Sequence, residues 1–183
     1  MAQKVFFLHS AGPQGPDEGS TDFIAWLTEK LGDRYELLHP AMPHPENPDY
    51  DPWKLQLDTE FGNLHGDVLL IGHSLGGSVL LKYLATNKTD FTVKGLFLCA
   101  VPFWGMDGWD YEPFTLAPDF AQNLPSTGEV HIYHSKDDPQ VTFNHALRYE
   151  KDIPHATLHP IDGDSHVFEN GIDQLVSDIT ILS

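Results

Sequence analysis

The chain has 183 residues and a single cysteine. That length sets one domain, residues 1–183, able to bury a core without disulfide staples. Ten Lys+Arg against 27 Asp+Glu leave a net charge of −17, which argues against nucleic acid and anionic membrane as partners. No apolar run approaches the roughly 18 residues of a membrane span. Val5–Leu8 behind Lys4 is too short for a signal-peptide core, so the expectation is a soluble, cytoplasmic protein.

In chain order, Val5–Leu8 reads as a buried strand that ends in a turn-prone segment from Ser10 to Gly19. Phe23, Ile24, Leu27 and Leu31 line one helix face, with Ser20 or Thr21 as cap and Gly32 as stop. Tyr35–Leu38 is a second strand. The segment from His39 to Pro52, with five prolines, makes a loop, and Asp51-Pro52 starts a helix that turns Trp53, Leu57 and Phe61 inward. Val68–Ile71 is a third strand and Leu75–Leu84 an apolar helix. Val93–Cys99 is a fourth strand, in which Cys99 reads as a small core residue. Glu129–His134 is a fifth strand, Val141–Lys151 a helix and Ala156–Ile161 a sixth strand. Ile172, Leu175, Val176, Ile179 and Leu182 form a final helical stripe. Strands alternating with helices predict an α/β fold of about six parallel strands with helices on both faces. Function in such sheets sits beyond the carboxyl ends of the strands.

One such end carries Gly72-His73-Ser74-Leu75-Gly76-Gly77, a G-x-S-x-G between a buried strand and an apolar helix. That is the context of a nucleophile elbow, in which a tight turn holds the serine hydroxyl out at the sheet edge. Ser74 is therefore the expected nucleophile. A serine hydroxyl needs a base, and the base an orienting carboxylate, in the order Ser, acid, His. Among 11 histidines, only His166 falls in the loop beyond the last strand, so it is the expected base. The fifth strand ends in Lys136-Asp137-Asp138-Pro139. Turn register favours Asp138 as the acid, with Asp137 as the alternative. The backbone N–H of Leu75 is one expected oxyanion donor. Ala11, or else Ser10, from the loop after the first strand is the other. His9 and His73 flank this region and read as supports for its loops.

These residues resemble the α/β-hydrolase superfamily and, more narrowly, the small retinoblastoma-binding-protein-type serine hydrolases. The likeness is carried by the G-H-S-L-G-G elbow, the His9-Ser10-Ala11-Gly12 loop, the Asp137-Asp138-Pro139 turn and the Asp164-Ser165-His166 loop. It implies a minimal α/β-hydrolase fold without a large lid, hydrolysing small esters or amides through an acyl-enzyme. Ser10 stands where glycine is more usual. The Leu-x-Cys-x-Glu motif that docks the retinoblastoma pocket is absent around Cys99, so no such partner is implied.

The segment from Pro102 to Gly128 is rich in aromatics. Trp104, Trp109 and Phe114 are its expected pocket-wall residues, although the segment can equally pack its rings on the sheet edge. No H-E-x-x-H spacing or thiolate cluster is present, so no metal and no cofactor are expected. The expected function is carboxylesterase-like serine hydrolysis of a small-molecule ester or amide. Acyl transfer to an acceptor other than water is a rival reading. A binding module with a vestigial hydrolase site is another.

Overall fold

The computed structural model of the chain describes residues 2–126, 128–163 and 165–183. Six strands form one sheet: β1 (Gln3–Leu8), β2 (Tyr35–Leu38), β3 (Asp67–His73), β4 (Thr92–Cys99), β5 (Glu129–Ser135) and β6 (Ala156–Ile161). Their order is β2-β1-β3-β4-β5-β6, and every neighbouring pair is parallel. The expected strands are all present, with β2 and β6 at the bounds read from sequence. The helices are α1 (Thr21–Leu31), α2 (Tyr50–Phe61), α3 (Leu75–Thr86), α4 (Phe120–Asn123), α5 (Phe143–Asp152) and α6 (Asp173–Ile181).

The central strands β3 and β4 are covered on both sides, which is why they read as unbroken apolar runs. One face packs Phe6, Leu70, Leu96 and Ile132 against Trp53 and Leu57 of α2, Leu80 of α3 and Tyr149 of α5. The other packs Phe7, Ile71 and Phe97 against Phe23 and Leu27 of α1 and Leu175 and Ile179 of α6. Burying each such side chain contributes about 1.5–3 kcal/mol. No helix among the described residues is long and apolar enough to cross a membrane.

Two helix caps differ from expectation, and α5 starts at Phe143, two residues after the expected Val141. The carboxylate of Asp49, not Asp51, accepts from the first helical N–H of α2, at 2.7 Å from Tyr50 N. Ser20 does precede α1, but its hydroxyl makes no cap bond; it is engaged in the loop network described below. The connection from β4 to β5 also carries a short 3-10 turn, Glu112–Phe114, and the one-turn α4. Neither has enough length to show a period in sequence.

The order of strands reverses at β1, where the chain leaves for β2 on one side and for β3 on the other. In open α/β sheets a crevice forms beyond the carboxyl ends at such a switch point. The loops after β1 and β3 meet there.

Candidate active site

Ser74 joins β3 to α3 with φ 51° and ψ −123°, a left-handed conformation that is strained for a residue with a side chain. The turn is held by tight backbone approach. A Cβ on Gly76 would run into the carbonyl oxygens of Leu8 and His9, and one on Gly72 into the backbone of Gly77. These glycines let α3 start directly against β1 and β3. Ser74 N–H donates to Cys99 O at 2.8 Å, tying the turn to β4 as well.

The turn aims the Ser74 hydroxyl at His166. His166 Nε2 lies 2.9 Å from Ser74 Oγ, and its Nδ1 lies 2.8 Å from Asp138 Oδ2. Nδ1–H donates to the carboxylate, which leaves Nε2 as the acceptor for the serine proton. Asp138 Oδ1 accepts the backbone N–H groups of Gln140 at 2.8 Å and Val141 at 2.9 Å. Burial alone would raise the Asp138 pKa. The hydrogen bond and charge of His166, with the two N–H groups, outweigh it and hold the carboxyl below its ordinary value. Asp137 is exposed and accepts from Ser135 Oγ at 2.6 Å. The structure thus brings Ser74, His166 and Asp138 together and turns Asp137 away. Asp164, in the loop leading to His166, lies outside the described residues.

A buried polar network supports these groups. His73 is fully enclosed; its Nδ1 accepts from Ser20 Oγ at 2.7 Å and its Nε2–H donates to the carbonyl of His166 at 2.8 Å. Burial above all, and then the charge of His166, push its pKa down to about 3, so it stays neutral. Ser20 Oγ also accepts Ser10 N–H at 2.9 Å, and Gln14 Oε1 accepts Ser20 N–H at 2.9 Å. His9 Nδ1–H donates to Ser10 O at 2.7 Å while its Nε2 accepts Met42 N–H at 3.0 Å. His9 and His73 therefore steady the loops, as their places in the sequence imply. Ser20, Gln14 and Gln140 were not foreseen as part of the site. Ser20 reaches His73 across 53 residues, Gln14 holds Ser20 N–H, and Gln140 serves Asp138 through its own backbone N–H; no local motif reveals these contacts. Beside the carboxylate, His134 Nε2–H donates to Val141 O at 2.7 Å and lies 3.6 Å from Asp138 Oδ2.

Ser74 opens into a cavity of about 290 Å³ lined by Ala11, Gly12, Leu75, Trp104, Trp109, Gln140 and His166, with Glu18 at its rim. Ser10 N–H is taken by Ser20, and Gly12 N–H by Pro45 O at 2.7 Å. The N–H groups of Leu75 and Ala11, both of which line the cavity, meet no acceptor among the described residues. Trp104 is fixed by its indole N–H on Ser78 Oγ at 3.0 Å and by Trp109, whose ring crosses it edge-on at 5.2 Å.

Phe114 requires a correction as a wall residue: it does not line this cavity. Its ring is buried behind Trp104, with centroids 4.9 Å apart, where it joins the core over α3. The aromatic segment thus serves both readings, with two tryptophans on the cavity and Phe103, Phe114 and Phe120 on the sheet side. A larger depression of about 1230 Å³ lies at the opposite, amino edge of the sheet, beside Lys4, Tyr35 and Asp67. It is open, and among the described residues that line it no serine meets a histidine as Ser74 does in the smaller cavity.

Comparison with known proteins places the chain in a family and a fold. The family model described as "Serine hydrolase" matches residues 17–173. YdeN of Bacillus subtilis (strain 168) is 25% identical over 180 residues, covering 93% of this chain and 88% of that protein. The crystal structure of the B. subtilis ydeN gene product superposes with a TM-score of 0.84 at 22% identity, covering 99% of this chain and 98% of the other. A serine hydrolase from Cycloclasticus zankles superposes with a TM-score of 0.73 at 16% identity, over 98% of this chain and 89% of that one. These neighbours share the α/β-hydrolase fold.

Proposed function

The chain belongs to the serine hydrolase family and is a hydrolase, and on that premise we propose that it cleaves a small ester, or an amide, through an acyl-enzyme formed on Ser74. The reading rests on the line Ser74 Oγ–His166–Asp138, with contacts of 2.9 and 2.8 Å. Ser74 Oγ attacks the carbonyl carbon as His166 Nε2 takes its proton. Asp138 holds the imidazole in the tautomer that makes this possible and stabilises the imidazolium. The tetrahedral oxyanion faces the N–H groups of Leu75 and Ala11, each worth about 2.7–4 kcal/mol to the transition state. His166 then protonates the leaving group, the C–O or C–N bond breaks, and water repeats the sequence to free the acid.

Trp104 and Trp109 give the cavity an apolar, aromatic wall suited to a short acyl or alcohol group. Within the family, the retinoblastoma-binding-protein type is our narrower assignment, based on chain length and the loops carrying Ser74, Asp138 and His166.

A fluorophosphonate probe tests the mechanism, because it reacts only with an activated serine. The folded protein is expected to take up one probe, mapped to Ser74 by mass spectrometry, and to hydrolyse p-nitrophenyl acetate. Ser74→Ala is expected to lose both while keeping its circular dichroism. Labelling at another residue, or a Ser74→Ala variant with most of its esterase activity, would overturn the proposal.

A further inference from the structure

A second cluster of chemistry-bearing side chains lies away from Ser74, on the sheet face that α6 covers. β5 and β6 pair with Tyr133 opposite His159 and His131 opposite Thr157. Side chains alternate along a strand, so His131, Tyr133 and His159 share one face. Their rings stack nearly parallel: His131 and His159 at 5.2 Å and 16°, Tyr133 and His159 at 4.7 Å and 9°, with Phe97 closing the stack against His131 at 5.4 Å. Asp178 descends onto them from α6. A helix laid on a sheet ordinarily presents an apolar stripe; this one sets a carboxylate over two imidazoles.

The three ligand atoms form a tight triangle. His131 Nδ1 to His159 Nε2 is 2.9 Å, His131 Nδ1 to Asp178 Oδ2 is 3.6 Å, and His159 Nε2 to Asp178 Oδ2 is 3.5 Å. A triangle with these sides has a circumradius of about 1.9 Å, against zinc–nitrogen and zinc–oxygen bonds of about 2.0–2.2 Å. An ion just above the triangle's plane therefore lies at bonding distance from all three atoms. The surrounding groups orient each ligand. Glu129 Oε2 accepts His131 Nε2–H at 2.7 Å, which leaves Nδ1 with its lone pair toward the triangle. Gln174 Nε2 donates to Asp178 Oδ1 at 2.9 Å, and Tyr133 OH to Asp178 Oδ2 at 2.7 Å. A carboxylate behind a ligating histidine is the usual outer shell of a metal site.

We propose that His131, His159 and Asp178 bind a divalent transition-metal ion of zinc's size, with a fourth position open beside the edge strand β6. His131 and Asp178 are buried, while the His159 side chain is 20% exposed and gives the ion its way in. Without the ion, the proton on His159 Nε2 bridges to His131 Nδ1. When the ion enters, that proton moves to His159 Nδ1. The site clasps α6 to the last two strands, away from the strand ends that carry Ser74, Asp138 and His166. Neither sequence spacing nor the hydrolytic mechanism requires it.

The test is titration of the metal-stripped whole chain with Co²⁺ and Zn²⁺. Co²⁺ is expected to give visible bands of a low-coordinate site that saturate at one equivalent and are bleached by Zn²⁺. His159→Gln, a change at a partly exposed edge position, is expected to weaken Zn²⁺ binding by more than about tenfold. Asp178→Asn should act likewise where it folds, and Ser74→Ala should have no effect on binding. Absence of the one-equivalent Co²⁺ spectrum would overturn the proposal and leave a hydrogen-bonded network only. Zn²⁺ binding unchanged in His159→Gln would overturn it too, placing the ion on other histidines.

Discussion

His73 makes the acid stability of this fold a measurable property of one ring. It is fully buried at the end of β3, with both nitrogens engaged, and burial holds its pKa at about 3 against an ordinary 6.5. Between those values the unfolded chain carries a proton that the folded chain cannot accept. The contribution of His73 is therefore complete above pH 6.5 and is lost as pH falls toward 3. At about pH 5 the loss from this ring alone amounts to about 2 kcal/mol, or about 4–8 °C in Tm for a chain of this length. Burial lowers His9, His134, His145 and His159 in the same direction, so the measurement must be a difference. His73→Gln keeps a donor and an acceptor but cannot titrate. It is expected to be less stable than the parent at neutral pH, yet to lose about 2 kcal/mol less on going from about pH 7 to pH 5. Urea unfolding followed by tryptophan fluorescence across that range reads both slopes. Parallel slopes for the two proteins would refute the argument, because the uptake would then belong to other groups.

Two further outcomes follow from the proposed mechanism. Asp138→Asn removes the acceptor for His166 Nδ1–H and is expected to lower kcat on an activated ester by about 10⁴-fold, whereas Asp137→Asn, an exposed change, should cost far less; the reverse ranking in steady-state kinetics would show that the acid was misassigned. The cavity of about 290 Å³ is at the small end for ligand sites, so binding should grow by about 0.8 kcal/mol per methylene over the first few carbons and then stop. Measured kcat/KM for acetate, butyrate, octanoate and palmitate esters checks this, and a steady rise through palmitate would contradict it.

Much of the architecture was legible in sequence because each element is both periodic and punctuated. β2 is closed off by glycine before it and by a proline-rich loop after it, and its bounds were read as they stand. The catalytic candidates were legible for a related reason: Ser74, Asp138 and His166 each follow a strand, and strand ends are where a parallel sheet gathers its loops. What stayed hidden depends on three-dimensional register. Ser20 looked like a helix cap, but its hydroxyl serves Ser10 and His73 across the crevice. Phe114 and Trp104 are alike in sequence, and only packing decides which faces the cavity. Asp49 won the start of α2 over Asp51 because capping is settled by backbone angles at a single residue. The cluster of His131, His159 and Asp178 comes from three separate elements, so no spacing rule could have assembled it.

The long reach of the contacts around His166 has a bearing on how the protein comes into being. His166 meets Asp138 across 28 residues and Ser74 across 92. A ribosome adding about 5–20 residues per second takes about 5–20 s to pass from the elbow to His166. Throughout that interval the nascent chain carries Ser74 without its hydrogen-bond partner His166. Phe168, two residues later, is wholly buried with Phe23 and His73 and anchors the loop only once it is made. On the proposed mechanism, reactivity at Ser74 would therefore arrive only after the last strand and its loop are made, as a mark that the sheet has closed.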